Sequence, residues 1–248
     1  MRCNLLKRIK FSLSPESDIQ LHINMSSLFH GYIMQNTSYE YAEKMHISEL
    51  RPFSQSIIRE GDSFYWYIST LNDEAYTNIS EIILSKDKIR LDNKDTEIHI
   101  KPIETVQTSF EQLFEENYFS IAPQRTVKLD FLTSTAFKSN GQYVYMPDST
   151  LILIGLIKKF DCFSELSKVN DEQLINEIYD KIYINNFKIS SRYFSVESRK
   201  IPGWCGTVSL RVCGSETLAR FVNMLADFAE FSGVGIKTAL GMGQTRHI

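Results

Sequence analysis

Five histidines, His22, His30, His46, His99 and His247, are the side chains of this 248-residue chain best suited to exchange a proton near neutral pH. No two of them form an HxxxH pair on a helix, and no dense Asp/Glu constellation sits beside one. The four cysteines, Cys3, Cys162, Cys205 and Cys213, show neither CxxC nor Cys/His spacing. These patterns argue against a zinc site, two-metal hydrolysis and a disulfide framework, so no metal or cofactor is expected. His46 stands out, because it precedes a loop broken by Pro52 and has Lys44 and Arg51 nearby. Loops held on a rigid scaffold concentrate catalytic groups, and flanking cations neutralise charge that builds up during a reaction. His30 falls on a predicted helix, where a histidine more often caps or fills than catalyses. Tyr32, Tyr39 and Tyr41 lie between the two histidines, and spacing alone does not choose among them as partners.

The second chemical signal is Ser232-Gly-Val-Gly-Ile-Lys-Thr-Ala-Leu-Gly-Met-Gly-Gln-Thr-Arg246, which holds Gly233, Gly235, Gly241 and Gly243. Such a cluster marks backbone that takes positive φ or lets another molecule approach closely. A dinucleotide fingerprint would need glycine where Thr238 stands, and a Walker loop would need one at Ile236, directly before Lys237. What remains is a glycine loop carrying one cation, Lys237. It suits either a phosphate backbone lying across exposed N–H groups or a tight turn that closes a final strand.

Regular elements must position these residues. A strand is predicted over 3–14, a helix from Ser26 or Ser27 to about Gln35, and a short helical patch at 39–45 that leads to His46. A hairpin over Glu60-Gly61-Asp62 follows, then a helix capped by Asn72, then strands at 87–91 and 96–106. The order strand, helix, two strands, helix, strand is the ferredoxin-like split βαβ unit. Residues 109–119 read as an acidic, aromatic connection. Beyond it the plan repeats less regularly. Strands at 125–137 and 142–146 join over Asn140-Gly141, and helices follow Pro147-Asp148 and Asn170-Asp171. A long hairpin at 186–213 turns near Pro202-Gly203, and an amphipathic helix then ends at Gly233, where a C-cap glycine belongs. The expected fold class is α+β, with two tandem ferredoxin-like (RRM-like) βαββαβ domains over residues 1–118 and 119–248.

Hydrophobic residues make up 43% of the chain, enough for two sizeable cores. No run approaches the length of a membrane span, and the start lacks a signal-peptide pattern, so a soluble, cytoplasmic protein is expected. The net charge of −3 conceals an asymmetry. Residues 71–120 carry eleven acids and five bases, a balance of −6, whereas residues 187–248 carry eight bases and four acids, a balance of +4. In the hairpin, Lys188, Arg192, Arg199, Lys200 and Arg211 interleave with Tyr193, Phe194 and Trp204. Cations there suit phosphates, and aromatics suit either unpaired bases or a buried face.

The GVGIKTALGMG run resembles the C-terminal glycine-rich signature of the RAMP superfamily. Phe29-His-Gly-Tyr-Ile-Met34, Met45-His46 followed by Arg51-Pro-Phe-Ser54, and Ser191-Arg-Tyr-Phe194 extend the resemblance over nearly the whole chain. It is closest to the CRISPR-associated endoribonucleases that cut precursor CRISPR RNA within its repeats. The resemblance implies that His46 is the general acid–base residue, with Arg51, Lys44, Tyr32 and His30 as candidate assistants. It also implies RNA contacts from Lys188, Arg192, Arg199, Lys200, Gly233, Gly235, Lys237 and Gly241. Better-known archaeal members carry a lysine downstream of the histidine. Here Arg51 is the nearest substitute, able to hold charge but a poor proton donor. The implied partner is CRISPR repeat RNA within precursor crRNA, with a CRISPR effector complex left open, and the protein is a monomer or homodimer. A rival reading is a catalytically silent RAMP subunit that binds RNA, and a third is a small-molecule-binding tandem ferredoxin-like protein.

Overall fold

The computed structural model describes residues 4–16, 19–119, 122–166, 168–169, 171–196 and 199–248. The first sheet contains β1 (Leu5–Pro15), β2 (Phe53–Glu60), β3 (Ser63–Thr70), β4 (Lys88–Leu91) and β5 (Thr96–Ser109), in the order β2-β3-β1-β5-β4. Every neighbouring pair is antiparallel. This is the ferredoxin-like order with β4 added at one edge. Two helices, α1 (Ser26–Asn36) and α2 (Tyr39–Ile47), connect β1 to β2. A composite helix connects β3 to β4, built of α3 (Asp73–Ala75), a π turn (Tyr76–Ser80) and α4 (Glu81–Leu84). Asn72 caps it as expected, its side chain accepting from the Ala75 N–H. The expected cap at Ser26 or Ser27 is corrected. A 3-10 turn, Ile23–Met25, leads directly into α1, and the His22 ring accepts from the Asn24 N–H. Ser26 is then inside α1, with its hydroxyl donating to Ile23 O and accepting from the Ile57 N–H. The core of this half is built on Trp66, with Phe11 and Phe29 at ring-centroid distances of 5.8 and 4.9 Å.

The second sheet contains β6 (Thr126–Thr135), β9 (Ile182–Val196), β10 (Arg199–Val212) and β11 (Thr245–His247), in the order β11-β6-β10-β9. That is the same ferredoxin-like order a second time. Residues 109–119 are not an irregular connection but a helix, α5 (Phe110–Tyr118), capped by Ser109. Phe110 and Leu113 on its inner face explain this, because they enter the second core. The Asn140-Gly141 turn has positive φ at both residues, but it joins only β7 (Phe137–Ser139) to β8 (Gln142–Val144), a separate ribbon. α6 (Ser149–Phe163) and α7 (Glu172–Lys181) begin at caps Asp148 and Asp171. Asn170 lies outside the described residues, as do Cys3, Ser17 and Asp18. Pro202-Gly203 is not the hairpin turn. Val196 pairs with Arg199, and Pro202 lies within β10 opposite Tyr193. Proline is tolerated there because the ladder of β10 to β6 begins only at Trp204.

The two halves are locked together. α8 (Glu216–Ser232) starts at cap Ser215, and its end meets the first sheet, where Ser54 Oγ donates to Phe231 O at 2.6 Å and Arg8 pairs with Glu230 at 2.7 Å. Gly233, at φ 61, terminates α8 as expected and starts a loop that returns at Gly243. A Cβ on Gly243 would stand 1.9 Å from Val234 O at a φ of +69. Neither backbone can give way without breaking the loop. Gly243→Ala should therefore cost more than about 2 kcal/mol in urea unfolding, the range of a strained backbone combined with overpacking. A variant within about 0.5 kcal/mol of the parent would contradict this account of the loop.

Candidate functional site

The glycine loop is held from both sides. Val234 N–H donates to Gly243 O, Ile236 N–H to Ala136 O and Gly243 N–H to Ser134 O, at 2.8 to 3.0 Å. Gln244 N–H donates to Thr133 Oγ1, and the Leu240 and Met242 N–H groups donate to Lys237 O. The N–H groups of Val234, Ile236, Leu240, Met242, Gly243 and Gln244 are thus used within the protein and are not free for a phosphate. Gly233 and Gly241 are buried, and each faces protein. A Cβ on Gly241 would meet Ser26 Cβ at 2.2 Å, and one on Gly233 would meet Thr238 Cγ2 at 2.9 Å. Gly235 is half-buried with Ala136 O beneath it. The glycines let the loop pass between the halves, and Lys237 is what it presents to solvent. Lys237 is exposed and left-handed, φ 55, a conformation uncommon outside glycine that Asp95 and Asn140 share.

A single 3-10 turn, Thr238–Leu240, follows Lys237 and carries the loop onto the first half. There Gln55 donates through Nε2 to both Ser26 O (2.9 Å) and Ala239 O (3.0 Å), while its Oε1 accepts from Trp66 Nε1. Gln55 escaped the sequence reading, because, flanked by Ser54 and Ser56, it carries no pattern of its own. It couples the core tryptophan to the loop. A groove of about 350 Å³ opens beside this junction, lined by Ser27, His30, Tyr32, Asn93, Val196 and Leu240. It brings α1, the end of β9 and the glycine loop to one place.

His30 stands nearly parallel to the Phe53 ring, 6.0 Å away, and its Nδ1 is buried without a hydrogen-bond partner among the described residues. Its pKa is held down to about 4, first by burial and then by the Arg51 guanidinium. The Lys237 ammonium adds to this, and a hydrogen bond to the Ala239 backbone offsets only part of it. Three of the sequence candidates, His30, Arg51 and Lys237, thus share one electrostatic environment, although they come from α1, the 48–52 loop and the glycine loop. Burial also lowers the Arg51 pKa and raises that of Tyr32.

His46 lies in the last turn of α2 rather than in the loop after it, exposed and without a bonded partner among the described residues. The helix ends at Ser48, whose N–H and hydroxyl both donate to Lys44 O. Lys44 itself is bonded to both carboxylate oxygens of Glu74, at 2.6 and 2.7 Å, so its charge is already matched. Tyr39 is exposed, and Tyr41 is buried with its hydroxyl unpartnered among the described residues.

In the hairpin, Lys188, Arg192, Arg199 and Lys200 are exposed. Many of the chain's other cations form ion pairs, as do Arg8 with Glu230, Lys10 with Glu60 and Lys88 with Glu16. None of these four, nor Arg51 or Lys237, is in an ion pair with a described residue. Of the interleaved aromatics, Phe194 and Trp204 are buried and Tyr193 is exposed. Phe194 and Ile201 pack with Met242 against Ile236 and Leu240, which fixes the hairpin end over the glycine loop.

Two ferredoxin-like halves, a glycine loop wedged between them and a basic hairpin without ion pairs among the described residues define a protein of the RAMP type. Comparison with known proteins narrows the class. The CRISPR-associated endoribonuclease Cas6 family matches residues 129–245. A Cas6 endoribonuclease of Mycobacterium tuberculosis is 31% identical over 222 residues, 88% of this chain and 69% of that protein. One of Streptococcus thermophilus is 28% identical over 222 residues, covering 87% and 88%. Cas6 of Thermus thermophilus superposes with a TM-score of 0.77 at 21% identity over the whole of both chains, and its product complex superposes at 0.78. The chain belongs to the Cas6 family of CRISPR-associated endoribonucleases.

The environment of His30 fixes a pH dependence. A histidine whose folded pKa is about 4, below its ordinary 6.5, contributes stability above pH 6.5 that is lost as pH falls towards 4, because the unfolded chain takes up the proton first. Between those limits wild type should lose on the order of 1–3 kcal/mol relative to His30→Gln. Parallel denaturation curves across pH 4–7 for the two proteins would show instead that His30 is free to protonate.

Proposed function

We propose that this protein binds CRISPR repeat RNA and cleaves precursor crRNA without a metal, leaving a 5′-hydroxyl and a 2′,3′-cyclic phosphate. The meeting of His30, Arg51 and Lys237 where the glycine loop enters the first half carries the proposal, with exposed His46 one short loop upstream of Arg51. The Thermus thermophilus relative's complex with product supports an RNA ligand on this fold. Among the described residues no three His, Cys, Asp or Glu side chains form a group able to hold a metal ion, which favours proton transfer by side chains.

RNA brings its own nucleophile. The 2′-oxygen attacks the adjacent phosphorus, the 2′-proton passes to a base, and the bond from phosphorus to the 5′-oxygen breaks as that oxygen gains a proton. His46 is exposed, so it can meet a substrate, and histidine serves either transfer near neutral pH. Arg51 and Lys237 neutralise the charge that gathers on the phosphate. Tyr32 lines the same groove as His30. His30, kept neutral and partly buried, orients the groove wall rather than relaying protons. Lys44, already bonded to Glu74, adds a weaker and more screened charge. Along the hairpin, Lys188, Arg192, Arg199 and Lys200 take backbone phosphates.

His46→Ala should lower the single-turnover cleavage rate of repeat RNA in EDTA by at least about 10²-fold, the scale of a lost acid–base group, with affinity little changed. Wild-type rates in that variant would move the role to His30, and binding without any cleavage in the parent would favour the catalytically silent RAMP reading. Charge reversal at Arg192 or Lys200 should weaken binding and flatten its dependence on salt, because fewer counterions are released. An unchanged slope would place the hairpin away from the RNA.

A further inference from the structure

The apolar stretch of α6 contains one buried cation. Lys159 is 7% exposed, surrounded by Leu156, Ile157 and Phe160. Its ammonium donates to Ser232 O at 2.7 Å, Gly233 O at 3.2 Å and Thr238 Oγ1 at 3.0 Å. The first two acceptors are carbonyls at the C-terminal end of α8, where the helix dipole is negative and the helix supplies no donor. The third is the first residue of the 3-10 turn that follows Lys237. Two carbonyls and a hydroxyl around one nitrogen match the three donors of an ammonium, and a neutral amine would also meet them by donating to the carbonyls and accepting from the hydroxyl.

Burying a lysine is costly, and burial holds its pKa down to about 7. A methionine would fill the same volume without that desolvation cost, but it would leave the Ser232 and Gly233 carbonyls without this donor. What the cation provides is a fixed link between the end of α8 and the turn after Lys237. Thr238 also packs through Cγ2 against Gly233 and Gly243, so the link reaches both ends of the loop. From the other side, Gln55 holds Ala239, the next residue in the turn, at 3.0 Å. The left-handed Lys237 backbone is the neighbour of the residue that Lys159 grips.

We propose that Lys159 is a positioning residue for RNA binding: by bridging the end of α8 to Thr238 it holds the glycine loop in the one conformation that presents Lys237 to a phosphate of the RNA. This rests on the reading of Lys237 as an RNA contact given above. Lys159 itself touches no substrate, because it lies beneath the loop.

The test is a double-mutant cycle on repeat-RNA affinity, measured well below the melting temperature of every variant. Lys159→Met removes all three bonds. Thr238→Val removes only the loop-side acceptor and keeps the Cγ2 packing, so it remains informative if Lys159→Met fails to fold. Each should weaken RNA binding, Thr238→Val by about 3-fold or more, and neither should add to the loss caused by Lys237→Ala. Coupling of that kind is what residues acting through one contact show, whereas a purely structural role would lower the melting temperature and leave the affinity of folded molecules unchanged. Folded Thr238→Val with parental affinity, or losses that add fully to that of Lys237→Ala, would overturn the proposal. If Lys237→Ala alone leaves affinity unaltered at low and high salt, it is the underlying reading of the loop that fails.

Discussion

The rest of the structure depends on a clearance. The chain from Gly233 to Gly243 must leave α8, cross between two ferredoxin-like halves and return to start β11, with protein on both sides. At Gly235, Gly241 and Gly243 an added Cβ would lie within 2.4 Å of a carbonyl oxygen or of Ser26, at φ values of 85 to 118 and 69. Glycine meets both demands because it lacks the atom that would collide and reaches positive φ without penalty. Once the loop is seated, the N–H groups of Val234, Ile236, Leu240, Met242 and Gly243 bond within the protein, Gln55 and Lys159 grip its two faces, and Lys237 is its exposed side chain. The loop resembles a ligand-binding motif, yet its glycines serve a protein–protein fit within one chain.

That fit explains how a chain of net charge −3 can offer a cationic site. Many of its bases lie beside acids, as in the pairs of Arg8 with Glu230, Lys10 with Glu60 and Arg220 with Glu216. These part-buried pairs take charge out of the surface field. Arg51, Lys237 and the hairpin cations escape such pairing among the described residues. The end of the hairpin is pinned over the glycine loop by Phe194, Ile201 and Met242. The effect on His30, whose protonation is opposed by Arg51 and Lys237 after burial, is a local measure of that field.

Much of the fold was legible because it is written in local terms. Alternation in β1, the Gly61-Asp62 turn, the caps at Asn72, Asp148 and Asp171, and the stripe of α8 each follow from a few adjacent residues. What failed was non-local. Pro202-Gly203 has the composition of a turn, yet register with β9 places it inside β10. Residues 109–119 look like an acidic linker because their two inward residues, Phe110 and Leu113, find their partners only in the second half. At the site, composition identified His30, Arg51 and Lys237, but nothing in the order of residues 30, 51 and 237 shows that they are neighbours. Gln55 and Lys159 were invisible for the same reason. Gln55 sits between Ser54 and Ser56 and Lys159 beside Lys158, so neither stands out, and the significance of each appears only with its acceptors, which lie far along the chain.

The central claim is that the scissile phosphate sits at the junction of the halves, where the first half supplies the acid–base group and both halves supply charge. The most direct measurement is a crystal structure with repeat RNA that carries a 2′-deoxynucleotide at the cleavage position, which removes the nucleophile and traps the uncut strand. We expect the scissile phosphate within hydrogen-bond reach of Arg51 or Lys237, with the His46 ring close enough to exchange a proton with its 2′ or 5′ oxygen. A scissile phosphate held elsewhere, with the 3-10 turn after Lys237 facing empty solvent, would contradict the account.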